Sequence, residues 1–212
     1  MKSPLRQIAC AFTCTTLFAT GSAHAQYAMP QQPVTTRQLV SQVCAACHGI
    51  DGNSARADVP SLARQVHAYL EGQLHAFAAQ GEQRVSGVMG AIAVNLSSDE
   101  MKRVATYFSR QTPRPVALAE APLAQKGEII FFEGLPAKGV ASCASCHGTR
   151  AEGLPNLFPR LAGQHKQYLA EQLRRFRVGT RTTDPDAMMR RLAAQLSDHD
   201  IDAVSQYVAL MP

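Results

Sequence analysis

The sequence predicts an all-α protein built from two tandem copies of one small helical domain, and three observations carry that expectation. First, the motif Cys-x-x-Cys-His occurs twice, at Cys44-Ala45-Ala46-Cys47-His48 and at Cys143-Ala144-Ser145-Cys146-His147, 99 residues apart. Second, the residues after each motif match at that offset. Pro60, Leu62, Ala63 and Gln65 fall on Pro159, Leu161, Ala162 and Gln164, and Tyr69, Leu70, Gln73, Leu74 and Phe77 fall on Tyr168, Leu169, Gln172, Leu173 and Phe176. One residue is then inserted, and at an offset of 100 Met89, Leu96, Ser97 and Tyr107 meet Met189, Leu196, Ser197 and Tyr207. Third, apolar residues recur at helical spacing and nowhere alternate with period two, so no sheet is expected.

Residues 1–25 read as a cleaved signal peptide. Lys2 and Arg6 form a basic start, Ile8 to Phe18 is a short apolar run, and Ala23-His24-Ala25 is a small-x-small cleavage site before Gln26. The run is shorter than the roughly 20 apolar residues a bilayer span needs. Export changes the cysteine count. Of six cysteines, Cys10 and Cys14 leave with the signal, and the other four all lie in the two motifs, with none spare for a disulfide or a nucleophile. Losing Lys2 and Arg6 takes the basic residues from 21 to 19 against 16 acidic ones, a balance too small to argue for nucleic acid as a partner.

The first domain is expected over residues 26–112. Thr35 or Thr36 caps a helix that runs into the first motif, and Gln65 to Ala79 places Val66, Tyr69, Leu70, Leu74 and Phe77 on one helical face. Ser97-Ser98-Asp99-Glu100 is a capping box opening a helix towards Arg110. The linker is expected at 113–118, where Pro113 and Pro115 disfavour helix and favour an extended, semi-rigid strap. The second domain, 119–212, repeats the plan. It has a helix from about Leu123 to Phe132, a Gly/Pro loop from Gly134 to Gly139, the second motif, a helix from Gln164 to Val178, and a last helix after Ser197 with Val204, Tyr207 and Val208 on one face.

Cys-x-x-Cys-His is the attachment pattern of c-type haem. Two thiols about one helical turn apart reach the vinyl groups along one porphyrin edge, and the histidine that follows lies under the ring. Two covalently bound haem c groups are therefore expected, held by Cys44 and Cys47 and by Cys143 and Cys146, with His48 and His147 as iron ligands. A shared zinc site would bring together pairs 99 residues apart and leaves the two histidines unexplained. A thioredoxin-like pair wants a βαβ setting, which is missing.

The sixth ligand is chosen by the repeat. His67, His75, His165 and His199 face Lys166, Arg174, Val66 and Asp99 in the other copy, so none recurs. Met89 does recur, as Met189, with Met188 the neighbouring alternative, and methionine/histidine ligation suits electron-transfer haems. Pro60 and Pro159 each lie 12 residues after their histidine. Each is either an ordinary loop proline or the residue whose carbonyl accepts the histidine Nδ1 proton and fixes the ring. Arg174, Arg175, Arg177 and Arg181 form the densest basic cluster. It reads as a solvated helix face with acids nearby, or as a group that holds haem propionates or docks an acidic partner.

The run Cys-Ala-Ala-Cys-His-Gly-x-Asp-Gly-Asn-Ser, then Pro-x-Leu-Ala-x-Gln, Tyr-Leu-x-x-Gln-Leu and the methionine ahead of Leu-Ser, resembles the dihaem cytochrome c4 family over nearly all of residues 26–212. The resemblance implies two class I cytochrome c domains related by a pseudo-twofold axis, with haem propionate edges meeting between them. It also implies the proline carbonyl bond, carried here onto Pro60 and Pro159. The function it implies is that of a periplasmic electron carrier, not an enzyme, which meets redox proteins such as a terminal oxidase and touches membrane complexes only peripherally. The alternative is the cytochrome subunit of a periplasmic dehydrogenase, such as a flavoprotein oxidising sulfide. A dihaem enzyme, a peroxidase or a thiosulfate dehydrogenase, is disfavoured by methionine offered to both haems and by the lack of a spare cysteine. Two places depart from the pattern. Arg64 stands opposite Gly163, and Asp51-Gly52-Asn53 has no close match in Arg150-Ala151-Glu152.

Overall fold

The computed structural model describes residues 34–79, 84–115, 121–155 and 158–212. The expected signal peptide, and residues 116–118 of the expected linker, lie outside them. Among the described residues there is no β-strand, only isolated bridges at Arg84–Arg181, Leu135–Val140 and Leu154–Phe158. No helix there is long and apolar enough to cross a membrane.

In the first half, α1 (Thr36–Leu39) passes through one π-turn (Val40–Cys44) directly into α2 (Ala45–His48). Thr35, rather than Thr36, is the cap. Its hydroxyl accepts from Gln38 N while the Gln38 side chain accepts from Thr35 N, satisfying donors that the first helical turn leaves open. Helix α3 (His67–Ala78) follows, then α4 (Gly87–Ala93) and α5 (Ser98–Ser109). The Ser97–Glu100 capping box opens α5. Helix α4 has no strong periodicity to announce it. It forms on its cap, where Ser86 Oγ accepts from Met89 N at 3.2 Å.

The second half runs α6 (Ala124–Glu133), α7 (Ala144–His147), α8 (Lys166–Arg177), α9 (Met188–Ala193) and α10 (Asp198–Leu210). Here α6 does not continue into the motif. It stops at Gly134, whose φ of 74° suits a residue without a side chain. A Cβ there would also collide with the Val140 carbonyl oxygen. The chain then loops through a single 3-10 turn (Pro136–Lys138) to Cys143. Helix α6 packs on α10 so closely that Gly127 faces the Ala203 carbonyl with no room for a methyl group.

Each half buries its own core. The first is built from Leu39, Val40, Leu70, Val104, Ala105 and Phe108. The second includes Ile130, Phe131, Leu169, Ala203, Val204 and Val208. Cys44 packs on the first core and Cys143 on the second, so the motifs sit at the core edge rather than on a free surface.

The halves meet through reciprocal contacts. Gln65 Nε2 donates to Arg160 O at 2.9 Å and Gln65 Oε1 accepts from Arg160 N at 2.8 Å. Gln164 makes the same pair with Ser61, both at 2.9 Å. At the offset of 99 these are one contact made twice, which is what a pseudo-twofold relation requires. The strap begins anchored to the first half. Asn53 Nδ2 donates to Thr112 O at 3.0 Å, Asn53 Oδ1 accepts from Arg114 N at 2.8 Å, and Arg114 pairs with Asp51 at 2.6 Å.

Candidate haem sites

Both motif histidines end a short helix, α2 or α7, and both are buried. His48 Nδ1 lies 2.9 Å from Pro60 O, and His147 Nδ1 lies 2.9 Å from Pro159 O. A carbonyl oxygen only accepts, so in each ring Nδ1 carries the proton and Nε2 keeps its lone pair. Burial lowers the pKa of both rings, and the carbonyl contact opposes this only in part, so they stay neutral at neutral pH. Phe158 packs edge-on to His147 at 5.9 Å between ring centres. Val59 holds that place in the first half.

The four motif cysteines, Cys44, Cys47, Cys143 and Cys146, form no disulfide with one another. Burial pushes Cys44 up to about 11 and Cys143 up to about 11. Among the described residues no three His, Cys, Asp or Glu side chains converge to hold a metal ion, so a shared zinc site finds no ligand set. Met89 is the third residue of α4, and Met188 and Met189 open α9. All three are half-buried and lie outside the apolar cores. Helices α4 and α9 end on Ala93 and Ala193, and counted back from those ends Met89 matches Met189 rather than Met188. Each half thus supplies two thiols, a neutral imidazole nitrogen with no hydrogen-bond partner among the described residues, and a thioether. That donor set fits covalent haem, whose iron the histidine and the methionine of each half would hold.

The backbone around the two motifs agrees where the sequences part. Gly52 and Ala151 both adopt positive φ, at 73° and 52°. Gly52 O accepts from Leu62 N and Ala63 N, and Ala151 O accepts from Leu161 N and Ala162 N. Arg64 and Gly163 both sit in the left-handed region, at 56° and 66°, and both donate through N to the closing helix, at Phe108 O and Val208 O. The departures at Asp51–Asn53 and at Arg64 therefore change side chains and leave the turn intact.

The basic cluster divides. Arg174 pairs with Asp198 and Asp202, Arg177 with Asp198, and Arg175 with Glu171, which is the solvated-face reading. Arg181 is different. It is buried, stacks over Phe176 at 4.3 Å, and donates to Tyr69 OH at 2.8 Å in the other half. Its counterpart is Arg84, which stacks over Phe77 at 5.0 Å and donates to Tyr168 OH at 2.9 Å. Sequence comparison missed this pair because the two are 97 residues apart, off the register on either side. His165, which has no counterpart in the repeat, crosses to the first half with Nε2 at 2.9 Å from Ser54 O.

The model of the Cytochrome c family matches residues 34–111 and again 124–211. Cytochrome c4 of Azotobacter vinelandii is 40% identical over 202 residues, covering 91% of this chain and 93% of that protein. The thiosulfate dehydrogenase electron acceptor of Thiomonas intermedia is 32% identical, covering 99% of this chain and 93% of its own length. The crystal structure of reduced recombinant cytochrome c4 from Pseudomonas stutzeri superposes with a TM-score of 0.75 at 38% identity, covering 84% of this chain and 97% of that one.

Proposed function

The chain belongs to the cytochrome c4 family and is an electron-transfer protein with two covalently bound haems, and from that premise we propose that it is an exported, periplasmic shuttle between respiratory donors and acceptors such as a terminal oxidase. In this reading residues 1–25 are removed, 26–112 and 119–212 are the two haem domains, and 113–118 joins them. Cys44 and Cys47 hold one haem and Cys143 and Cys146 the other. His48 with Met89, and His147 with Met189, close the two irons.

The observation that carries the reading is the matched pair of imidazoles, each with Nδ1 fixed 2.9 Å from a proline carbonyl and Nε2 left free. When bound, each haem supplies an iron that changes oxidation state by one electron. The chain's part is to hold that site still. The carbonyls of Pro60 and Pro159 stop the imidazoles turning, and the thioethers raise the potential relative to a second histidine. The apolar core edges under Cys44 and Cys143 keep water away.

A test is the visible spectrum of the reduced holoprotein before and after carbon monoxide, followed by mixing with membranes that contain a terminal oxidase. An unchanged spectrum and rapid oxidation are expected. Carbon monoxide bound to one haem in two, in a protein the oxidase fails to oxidise, would overturn the reading. A second reading, the electron-accepting partner of a dehydrogenase, is favoured by the likeness to the Thiomonas intermedia protein. Rapid reduction by a thiosulfate dehydrogenase, with slow reduction by quinol-oxidising membranes, would select it.

A further inference from the structure

We propose that Arg84 and Arg181 are a crossed pair of positioning residues that lock the two haem-bearing halves in the orientation across which an electron passes. Each guanidinium is rooted in its own half by an aromatic face, Phe77 under Arg84 and Phe176 under Arg181. Each then grips the tyrosine and glutamine of the opposite half. Arg84 donates to Tyr168 OH at 2.9 Å and Gln172 Oε1 at 3.0 Å, and Arg181 donates to Tyr69 OH at 2.8 Å and Gln73 Oε1 at 3.2 Å. Gln172 Oε1 also accepts from Arg181 at 3.0 Å, and the two arginine backbones form a bridge. Both guanidiniums therefore converge on one amide.

Geometry explains why arginine occupies these positions. A planar fork can stack on a ring and donate in two directions at once, which an ammonium cannot do. The four acceptors, Tyr69, Gln73, Tyr168 and Gln172, recur at the offset of 99 on α3 and α8, so the clamp ties the helix behind each motif to the other half. Arg181 is only 5% exposed and meets neutral oxygens alone, with no carboxylate partner among the described residues. Within this chain, then, Arg181 is held at the seam by oxygens that carry no charge of their own. The burial of Tyr69 would raise its phenol pKa, but these two cations outweigh burial and lower it.

This inference rests on the proposed relay. One electron passes from the ferrous haem of one half to the ferric haem of the other, so one is oxidised as the other is reduced, with no proton or further reagent. The test uses the full holoprotein as Arg181→Gln, Arg84→Gln and the milder Tyr69→Phe. After one electron is added by pulse reduction, its equilibration between the haems should slow about tenfold in each arginine variant, since small misplacements of reacting centres are costly. Tyr69→Phe, which removes one acceptor, should slow it about threefold. Both reduction potentials should fall in the arginine variants, because a nearby cation disfavours the ferric charge. A purely structural contact would not move the potentials. Arg181→Lys should hold the potentials without restoring the rate. Unchanged potentials with a rate within about twofold of the parent in both arginine variants, whatever happens to Tm, would overturn the proposal. Oxidation by oxidase membranes, measured in parallel on the parent, separates the two ideas. Its failure beside a fast, arginine-dependent inter-haem rate sinks the shuttle reading and leaves the clamp standing.

Discussion

In the first half the helical path that opens at Thr35 runs unbroken into Cys44 through a π-turn over Val40–Cys44. In the second half α6 ends at Gly134 and a loop over residues 134–142 delivers the chain to Cys143. A helix positions its end residue through its own hydrogen bonds, whereas a loop needs tethers. Asp200 provides them. Its carboxylate, only 4% exposed, takes Lys138 from the loop and Lys126 from α6, each at 2.8 Å, while capping α10 through Ser197. The matching residue of the first half, Glu100, caps α5 from the surface and, among the described residues, serves Ser97 alone. Asp184, also buried, repeats the device by holding Arg190 N and Nε at 2.9 Å and so fixing the start of α9. Among the described residues helix α4 has only the Ser86 cap. One topology is thus maintained by helix continuity on one side and by buried carboxylates on the other.

The sharpest way to break that contrast is Asp200→Ala. The lysines left behind are 40% and 45% exposed, so the loss falls below that for two buried partners, about 2 kcal/mol from the ion pairs and about 1 kcal/mol from the cap. Glu100→Ala should lose only about 0.5 kcal/mol. Thermal unfolding of the holoprotein followed by calorimetry would compare the two, and equal losses would refute the contrast.

A smaller effect should separate the halves in acid. Burial would raise the Asp200 carboxyl, but hydrogen bonds from Lys126, Lys138 and Ser197 overcome it and hold the group well below the usual carboxylate range. A folded pKa depressed in this way contributes stability that is present above the unfolded value and is lost as pH falls through the region below about 4. Asp200→Asn should therefore flatten the acid limb of Tm against pH more than Glu100→Gln does. Two substitutions would then make the halves more alike. Ser205, buried on α10 with its hydroxyl lacking any partner among the described residues, stands where the first half has buried Ala105. Ser205→Ala should raise stability by about 1 kcal/mol, read as a higher Tm. Arg64, exposed and held at a φ of 56°, is the position that Gly163 fills without strain. Arg64→Gly should add about 0.5 kcal/mol, and a loss in its place would show that the arginine side chain is anchored.

What was legible in the sequence was whatever repeated in register. The motifs, the long helices α3, α5, α8 and α10, and the equivalence of Met89 with Met189 all come from local spacing that needs no tertiary context. The short helices α4 and α9 escaped because they form on a serine cap and a buried aspartate rather than on an apolar period. Gln65 and Gln164 were visible as a repeated pair, but nothing local shows that they reach across to residues 160 and 61. The crossed arginines were hidden for a different reason. The insertion that shifts the register falls between Phe77 and Met89, in the stretch that holds Arg84, so residue-by-residue alignment pairs Arg84 with the wrong neighbours. The departures at residues 51–53 and at Arg64 misled in the opposite direction, since the backbone tolerated a change that the side chains advertised.

The reciprocal glutamine contacts carry one more consequence. A surface whose donors and acceptors meet the same atoms on both sides is isologous, the geometry of a homodimer. The chain is in that sense a dimer expressed as one molecule. Its affinity problem is solved by tethering, because a short strap clipped at Asn53 keeps the second face at an effective concentration on the order of millimolar. Assembly is then independent of how dilute the protein is, and each copy is free to drift in sequence as long as the shared face is kept.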